Sequence, residues 1–330
     1  MRQLNLLVWQ IHGSYLNTLV QGFAGAPYRF YLPTKPGKPE GYGGRGPTYS
    51  WSPGTVEVPA EEVRDLDLDL VIYQTEKNFT LDAREVLTSE QRALPAIYLE
   101  HNTPQGRINE MIHPVNDPGV LLVHVTHFND LFWDCRESPT RVIDHAVMPS
   151  APEGSYTGEL QRGVSLVNDM PRRKRVVGGD VFGRARKEVP LDLFGFNSKE
   201  VDGGFGDLPQ VEAHERMKAY RFYFNPIRYT SLPLSVLEAM EIGLPVVALA
   251  TTELVTVIKN GENGFIDTNL DSLVCRMQRL LSNPEEARQI GDEGRRTVRE
   301  RFGLERFAAD WEAAFEKALK LREVVPCASR

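Results

Sequence analysis

Residues 225–265 read NPIRYTSLPLSVLEAMEIGLPVVALATTELVTVIKNGENGF, and no other stretch constrains the fold as tightly. An apolar strand over 221–225 runs into a turn of small and proline residues, Thr230-Ser231-Leu232-Pro233. The turn opens a helix over 234–243 that carries Glu238 and is closed by Gly243, the residue type that favours a helix C-terminus. A buried strand over 245–250 and a second glycine turn, Asn263-Gly264-Phe265, follow. Strand, helix and strand in this order belong to a layered α/β sheet. Ser231 is placed to cap the helix and Pro233 fits its first turn. Free backbone donors and the positive end of the helix dipole at that point suit a diphosphate. Glu238, about one turn further in, accepts hydrogen bonds from sugar hydroxyls, which points to a ribose. Read alone, Glu238 is also what a solvated or capping acid looks like.

The alternation extends over the rest of the chain. Short apolar runs at 4–9, 70–74, 96–100, 120–125 and 140–143 read as strands, and 14–22 as the helix after the first. Residues 31–53 are rich in Gly, Pro, Tyr and Lys, so they read as a loop, either plain surface or a wall of a substrate site. A polar small-residue stretch over 150–158 marks a domain boundary. Beyond it, strands are expected at 164–168, 191–195 and 221–225, and helices at 210–220, 270–281, 284–301 and 304–321. Phe307, Trp311 and Phe315 recur at helical spacing in the last helix and read as a packing face. A length of 330 residues exceeds what one core usually serves. Two α/β domains follow, with ligands expected beyond the carboxyl ends of the strands and the two sheets facing a shared cleft.

Other candidates sit at expected strand ends. His12-Gly13-Ser14 follows the first strand, and the glycine permits a tight turn near a ligand. His101 follows the strand 96–100; it suits a sugar hydroxyl or a developing charge, or simply ties down its loop. The run Arg172, Arg173, Lys174, Arg175 offers cations to transferring phosphates and to a departing diphosphate, or is a solvated surface run. Gly195-Phe196 ends another strand, where the glycine admits close approach by a flat base. His124 and His127 form HVTH, too little for a metal site. Cys135 has no histidine partner visible in the sequence, which argues against thiol chemistry.

Charge and cysteine usage exclude some classes. The net charge of −7 leaves no general basic footprint for nucleic acid. Cys135, Cys275 and Cys327 lack the spacing of a disulfide scaffold or a thiolate zinc site. The apolar run near the start is short and is followed by His12 and Gly13, unlike a secretory signal. The expectation is a cytoplasmic protein without transmembrane segments, with peripheral membrane contact left open.

With these residues in view, the chain resembles the GT-B-fold glycosyltransferases, specifically the large retaining group called family 4. The resemblance rests on Leu237-Glu238-Ala239-Met240, on Gly243-Leu244-Pro245-Val246-Val247, and on Asn263-Gly264-Phe265. It implies a GT-B architecture of two Rossmann-like domains facing an interdomain cleft. Residues 1–150 would form the acceptor-side domain, 151–305 the donor domain, and 306–330 a closing helix that packs back on the first. Carried over, Glu238 is the ribose-binding glutamate. Ser231-Leu232-Pro233-Leu234 resembles the phosphate-contacting loop, Thr230 stands at a donor-contact position, and Arg172 to Arg175 resemble the basic donor-phosphate segment, with Arg172, Arg173 or Lys174 offsetting the leaving charge. His12-Gly13 and His101 resemble first-domain elements near donor sugar and acceptor, and Gly195 and Phe196, read above as a base contact, stay on the donor side. His101, Arg173, Lys174 and Glu238 would carry catalysis.

The implied reaction is metal-independent transfer of a sugar, with retention, from a nucleotide-diphosphate sugar to an acceptor hydroxyl, with no other cofactor. The sequence departs from the family pattern at Thr230, where a first glutamate usually stands eight residues before the second. Altered donor preference, another acid entering the site and weak activity all stay open. A nucleotide-sugar epimerase or hydrolase of the same fold, and a degenerate sugar-nucleotide-binding protein, remain the alternatives. Donor base, sugar, acceptor, oligomeric state and the phosphate-facing members of 172–175 are not readable from the sequence.

Overall fold

The computed structural model describes residues 2–47, 49–148 and 156–324. The expected boundary at residue 150 lies outside the described residues, as do Cys327 and the last six residues of the expected closing segment. The chain divides into two compact units, residues 1–146 with 304–330, and residues 147–303.

Unit 1 is built on a seven-stranded sheet in the order β3-β2-β1-β4-β5-β6-β7. Its strands are β1 (Leu4–Val8), β2 (Tyr28–Thr34), β3 (Thr55–Pro59), β4 (Leu70–Tyr73), β5 (Ala96–Glu100), β6 (Val120–His124) and β7 (Thr140–Val142). All pair in parallel. The inner strands β4, β5 and β6 are buried on both faces, as helix-covered parallel sheets require. Leu6 and Val8 enter one core with Leu70, Ile72, Ile97 and Leu121. Leu7 and Trp9 enter the opposite core with Val71, Tyr73, Tyr98 and Leu122.

Two strands of unit 1 were missed in the sequence. β2 takes in residues 31–34, the start of the expected loop, and β3 follows its end. Arg29 and Pro33 break the apolar pattern of β2, yet Phe30 and Leu32 are fully buried. Pro33 is tolerated because pairing with β1 ends at Tyr31. The remaining loop is tied down locally. Ser50 O accepts from Asn17 Nδ2 at 3.0 Å, and Trp51 Nε1 donates to Gly46 O at 2.9 Å.

The closing helix, Leu304–Val324, completes the first core. Phe307, Trp311 and Phe315 are at most 1% exposed. Trp311 Nε1 donates to Tyr15 Oη at 3.2 Å, and Tyr28 Oη donates to Glu312 at 2.9 Å.

Unit 2 carries a six-stranded parallel sheet in the order β10-β9-β8-β11-β12-β13. Its strands are β8 (Leu160–Leu166), β9 (Leu191–Phe194), β10 (Gly204–Gly206), β11 (Tyr220–Asn225), β12 (Val246–Leu249) and β13 (Phe265–Asp267). β8 starts four residues before the expected position, because polar Gln161 and Arg162 hide its first turn of pleat. Phe265, expected in a turn, opens β13 and pairs with Val247. Phe222, Phe224, Val247 and Leu249 face one core, and Tyr223, Val246 and Ala248 the other. Among the described residues no helix is long and apolar enough to cross a membrane.

Candidate functional site

In both sheets the strand order reverses direction once, between β1 and β4 in unit 1 and between β8 and β11 in unit 2. The crevice beyond the carboxyl ends at such a point is where open α/β sheets hold ligands. Most of the residues singled out in the sequence lie at these two places.

In unit 2 the loop after β8 enters the short helix Met170–Arg173 through Asp169, whose φ is 58°. The Asp169 carboxylate accepts from Asn197 Nδ2 at 3.1 Å and from Arg172 Nε. These bonds, Asn197's first, hold its carboxyl below the ordinary range. Phe196 N donates to Asn168 Oδ1 at 2.9 Å, and Asp169 N to Phe196 O at 2.8 Å. The loops after β8 and β9 are thereby fastened together. Gly195, with φ 129°, is needed for this packing: a Cβ there would lie 2.6 Å from Val167 O. Phe196 remains 57% exposed.

The structure divides the basic run. Arg172 pairs with Asp169, and Arg175 with Asp180 at 2.8 Å. Among the described ion pairs none engages Arg173 or Lys174, and both are exposed. Desolvation first, and the Arg172 charge second, lower the proton affinity of Arg173. Asp180 also binds Arg228 at 2.5 and 2.7 Å, and Arg228 foremost holds its carboxyl at about 2. Arg228 N donates to Val176 O at 3.0 Å. At Gly178 (φ 75°) a Cβ would fall 1.8 Å from Pro226 O. The turns after β8 and β11 are therefore one interlocked piece, a pairing invisible in sequence because some fifty residues separate its halves.

The helix bearing Glu238 runs Leu234–Ile242 and ends on Gly243 at φ 92°. Its start corrects one expectation. The N-cap position is Pro233, with no side-chain cap. Ser231 is 8% exposed, and its carbonyl accepts from Thr252 Oγ1 at 3.2 Å. The residue before a proline is pushed out of helical geometry, so the helix cannot begin before Pro233. Leu232 is a core residue at 3% exposure, so a ligand role there falls to its backbone. Leu234 packs on the same core, and Thr230 is partly buried.

Glu238 accepts from Gln210 Nε2 at 2.7 Å, and His214 Nε2 lies 3.3 Å from its other oxygen. Both groups come from the helix Gln210–Met217, which holds the carboxylate in place. Glu241, one turn on, is buried and pairs with Arg299 at 3.1 Å, a structural acid. Asn225, at the end of β11, is fully buried, and both side-chain amide atoms lack a partner.

In unit 1, His12 follows β1 with φ 43° and takes the N-cap position of the helix Gly13–Gly22, with no side-chain cap. A Cβ on Gly13 would meet Tyr49 Cε2 at 2.9 Å. The His12 and His101 rings lie 4.1 Å apart, and Tyr15 packs edge-on to His101 at 4.8 Å. His101 Nε2 is 2.8 Å from Gln74 Oε1. Burial first lowers the proton affinity of both histidines, that of His101 strongly. Both rings are neutral at physiological pH, so His101 suits a hydroxyl better than a developing negative charge.

His113 and His124 are buried in contacts of the fold. His113 Nε2 faces Glu100 at 3.3 Å while its Nδ1 accepts from Val115 N at 3.1 Å. Cys135 does have a histidine neighbour, His124 Nε2 at 3.4 Å. Burial, aided by Asp130 and Asp134, pushes that thiol up to about 12, so it stays protonated. Among the described residues no group of three or more His, Cys, Asp or Glu is arranged to hold a metal.

Comparison with known proteins fits this arrangement. The family model "Glycosyl transferases group 1" matches residues 204–297, the half of unit 2 that contains Glu238. An uncharacterized glycosyltransferase of Haemophilus influenzae is 35% identical over 92 residues, 27% of this chain and 26% of that protein. The MMP alpha-(1->4)-mannosyltransferase of Mycolicibacterium hassiacum is 37% identical over 97 residues, 28% of this chain and 24% of that protein. The chain thus matches about a quarter of the length of these curated relatives.

Solved structures match nearly the whole chain. Sucrose-phosphate synthase from Thermosynechococcus elongatus superposes with TM-score 0.70 at 15% identity, covering 97% of this chain and 100% of that one. A glycosyltransferase from Rickettsia africae gives 0.69 at 13% identity, covering 97% and 99%. Anabaena HepE in complex with UDP-glucose gives 0.64 at 10% identity, covering 96% and 100%. These likenesses show the fold: two parallel-sheet, Rossmann-like units of the GT-B class.

Proposed function

We propose that this chain is a glycosyltransferase that moves a sugar from a nucleotide-diphosphate sugar to an acceptor hydroxyl, and that it is a retaining, metal-independent enzyme of family 4. One observation carries the reading. The segment matched by the glycosyltransferase model holds Glu238 beyond the carboxyl end of β11, where the unit 2 sheet reverses order. Gln210 fixes its carboxylate by a hydrogen bond, His214 lies beside it, and its remaining lone pairs suit the two hydroxyls of a ribose. The start of the same helix, with the backbone of Ser231 and Leu232, faces a diphosphate favourably. Arg173 and Lys174, left outside the ion pairs that hold Arg172 and Arg175, are the cations assigned to the phosphates.

In the proposed step the bond between the anomeric carbon and the β-phosphate oxygen breaks. The acceptor oxygen bonds to that carbon from the same face, and its proton passes to the departing phosphate. Charge builds on the leaving diphosphate, and Arg173, Lys174 and the helix-start amides offset it. Thr230 contributes a hydroxyl rather than a carboxylate, so this scheme uses no protein nucleophile. His12 and His101 of unit 1 are assigned to the sugar and acceptor hydroxyls.

A donor panel tests the reading. UDP-, GDP- and ADP-sugars are incubated with and without candidate acceptors, and nucleotide release and product mass are followed. Acceptor-dependent release with a retained anomeric centre supports it. Release without acceptor, or donor isomerisation, assigns the fold to a hydrolase or epimerase instead. An inverted product removes the retaining assignment, and a turnover that chelators abolish removes metal independence.

A further inference from the structure

The hydrogen bonds at the carboxyl ends of β1, β4 and β5, three adjacent strands, form a directed relay. Gln74 Nε2 donates to the carbonyl of Trp9 at 2.6 Å, and Gln74 is 1% exposed. A carbonyl can only accept, so this bond fixes which end of the Gln74 amide points where. The amide oxygen is left facing His101 Nε2 at 2.8 Å. An amide oxygen can also only accept, so the proton of this contact sits on Nε2. Burial keeps the ring neutral, and a neutral imidazole carries one N–H. Nδ1 is therefore the bare, accepting nitrogen. Among the described residues no hydrogen bond engages Nδ1, and His101 as a whole is 8% exposed.

We infer that Gln74 is a positioning residue that locks His101 in its Nε2–H tautomer, making Nδ1 an obligate hydrogen-bond acceptor for a substrate hydroxyl. The inference rests on the proposed transferase reading for the substrate, and on the hydrogen bonds alone for the tautomer. The surroundings keep the lock in place. His12 from the end of β1 and His145 beyond β7 both disfavour a positive charge on His101. Tyr15 packs edge-on to the ring from the helix Gly13–Gly22. The neighbouring Glu100 is engaged by Asn102 N and by His113. A locked acceptor pairs only with a donor such as a hydroxyl. It rejects a carbonyl or carboxylate at the same point, because two acceptors repel.

Nitrogen-15 NMR of the ligand-free, histidine-labelled full chain reads the tautomer directly, whether or not any donor is turned over. The expected result is a protonated-type shift at His101 Nε2 and an unprotonated-type shift at Nδ1. A proton on Nδ1, or an imidazolium at neutral pH, overturns the inference. Gln74→Met, of similar length but without either hydrogen bond, is expected to populate the Nδ1–H form. With the donor found active in the panel, it should lower kcat/KM by about tenfold, the worth of one neutral hydrogen bond. Its Kd for the free nucleoside diphosphate should stay within about twofold. A Gln74→Met protein that keeps the Nε2–H tautomer, or one that shifts tautomer yet turns over as wild type, also overturns it. If no donor is turned over by wild type, the transferase reading fails while the tautomer result still decides the lock.

Discussion

Glu238 and the basic run show how neighbours divide labour among like residues. Two acids stand three residues apart on one helix, yet Glu241 is consumed by Arg299 while Glu238 is only steadied by Gln210 and His214. Glu238→Ala is therefore expected to lower kcat/KM by about 10- to 100-fold, the worth of hydrogen bonds to a charged acceptor, with little change in melting temperature. Unchanged steady-state kinetics would remove Glu238 from the site. The cations divide in the same way. Arg173→Ala and Lys174→Ala should each lower kcat by roughly 100-fold if they offset leaving-group charge. Arg175→Ala, which breaks only an exposed pair with Asp180, should stay within about threefold in kcat and cost less than about 1 kcal/mol in urea unfolding. Equal losses at all three positions would mean that the ion pairs do not sort them.

At the scale of elements, the closing helix is anchored by one side chain. Trp311 is fully buried, packs on Phe307 and Phe315, and binds Tyr15 Oη. Trp311→Ala should destabilise unit 1 by about 3–5 kcal/mol, read as a lowered unfolding midpoint in denaturant. A loss under about 1 kcal/mol would contradict the packing described. Most elements were legible where the apolar pattern was uninterrupted: β5 and the helix Pro284–Arg301 fall where the sequence places them. β2 was not, because Arg29 and Pro33 interrupt it and glycine-rich turns follow. Ser231 was misread as a cap because its residue type suits one, although the proline two positions on sets the start of the helix. Pairings such as Gln74 with His101 or Cys135 with His124 carry no local signal at all. Parallel strands meet side by side only after a crossover, so partners at their ends are separated by many residues.

For the whole molecule, both units repeat one plan, a centre-to-edge run of strands followed by a return to the centre and a run the other way, and most candidate residues lie near that reversal in each. The sequence carried this architecture through its alternation and carried the donor-side residues through the stretch 225–265. What it lacked was the internal bonding that decides which cation is spent, which acid is structural and which ring nitrogen is bare. A chain ended after Gly303 would lack the helix that covers Leu16, Leu19, Phe23 and Phe30. Hydrogen exchange on such a truncation should find unit 1 amides unprotected while β8, β11 and β12 remain slow. Retained protection in β1 and β2 would show the closing helix to be dispensable.

The discontinuity of unit 1 also sets an order of events during synthesis. Residues 1–146 leave the ribosome before residues 147–303 but are joined by the closing helix only after those have emerged. Unit 2, contiguous in sequence, has all its strands in hand before the first-made part of the chain can close its core. The nascent chain must therefore carry an unfinished apolar face while residues 147–303 are made, and the twenty-one-residue helix Leu304–Val324 acts as the latch that ends that exposure.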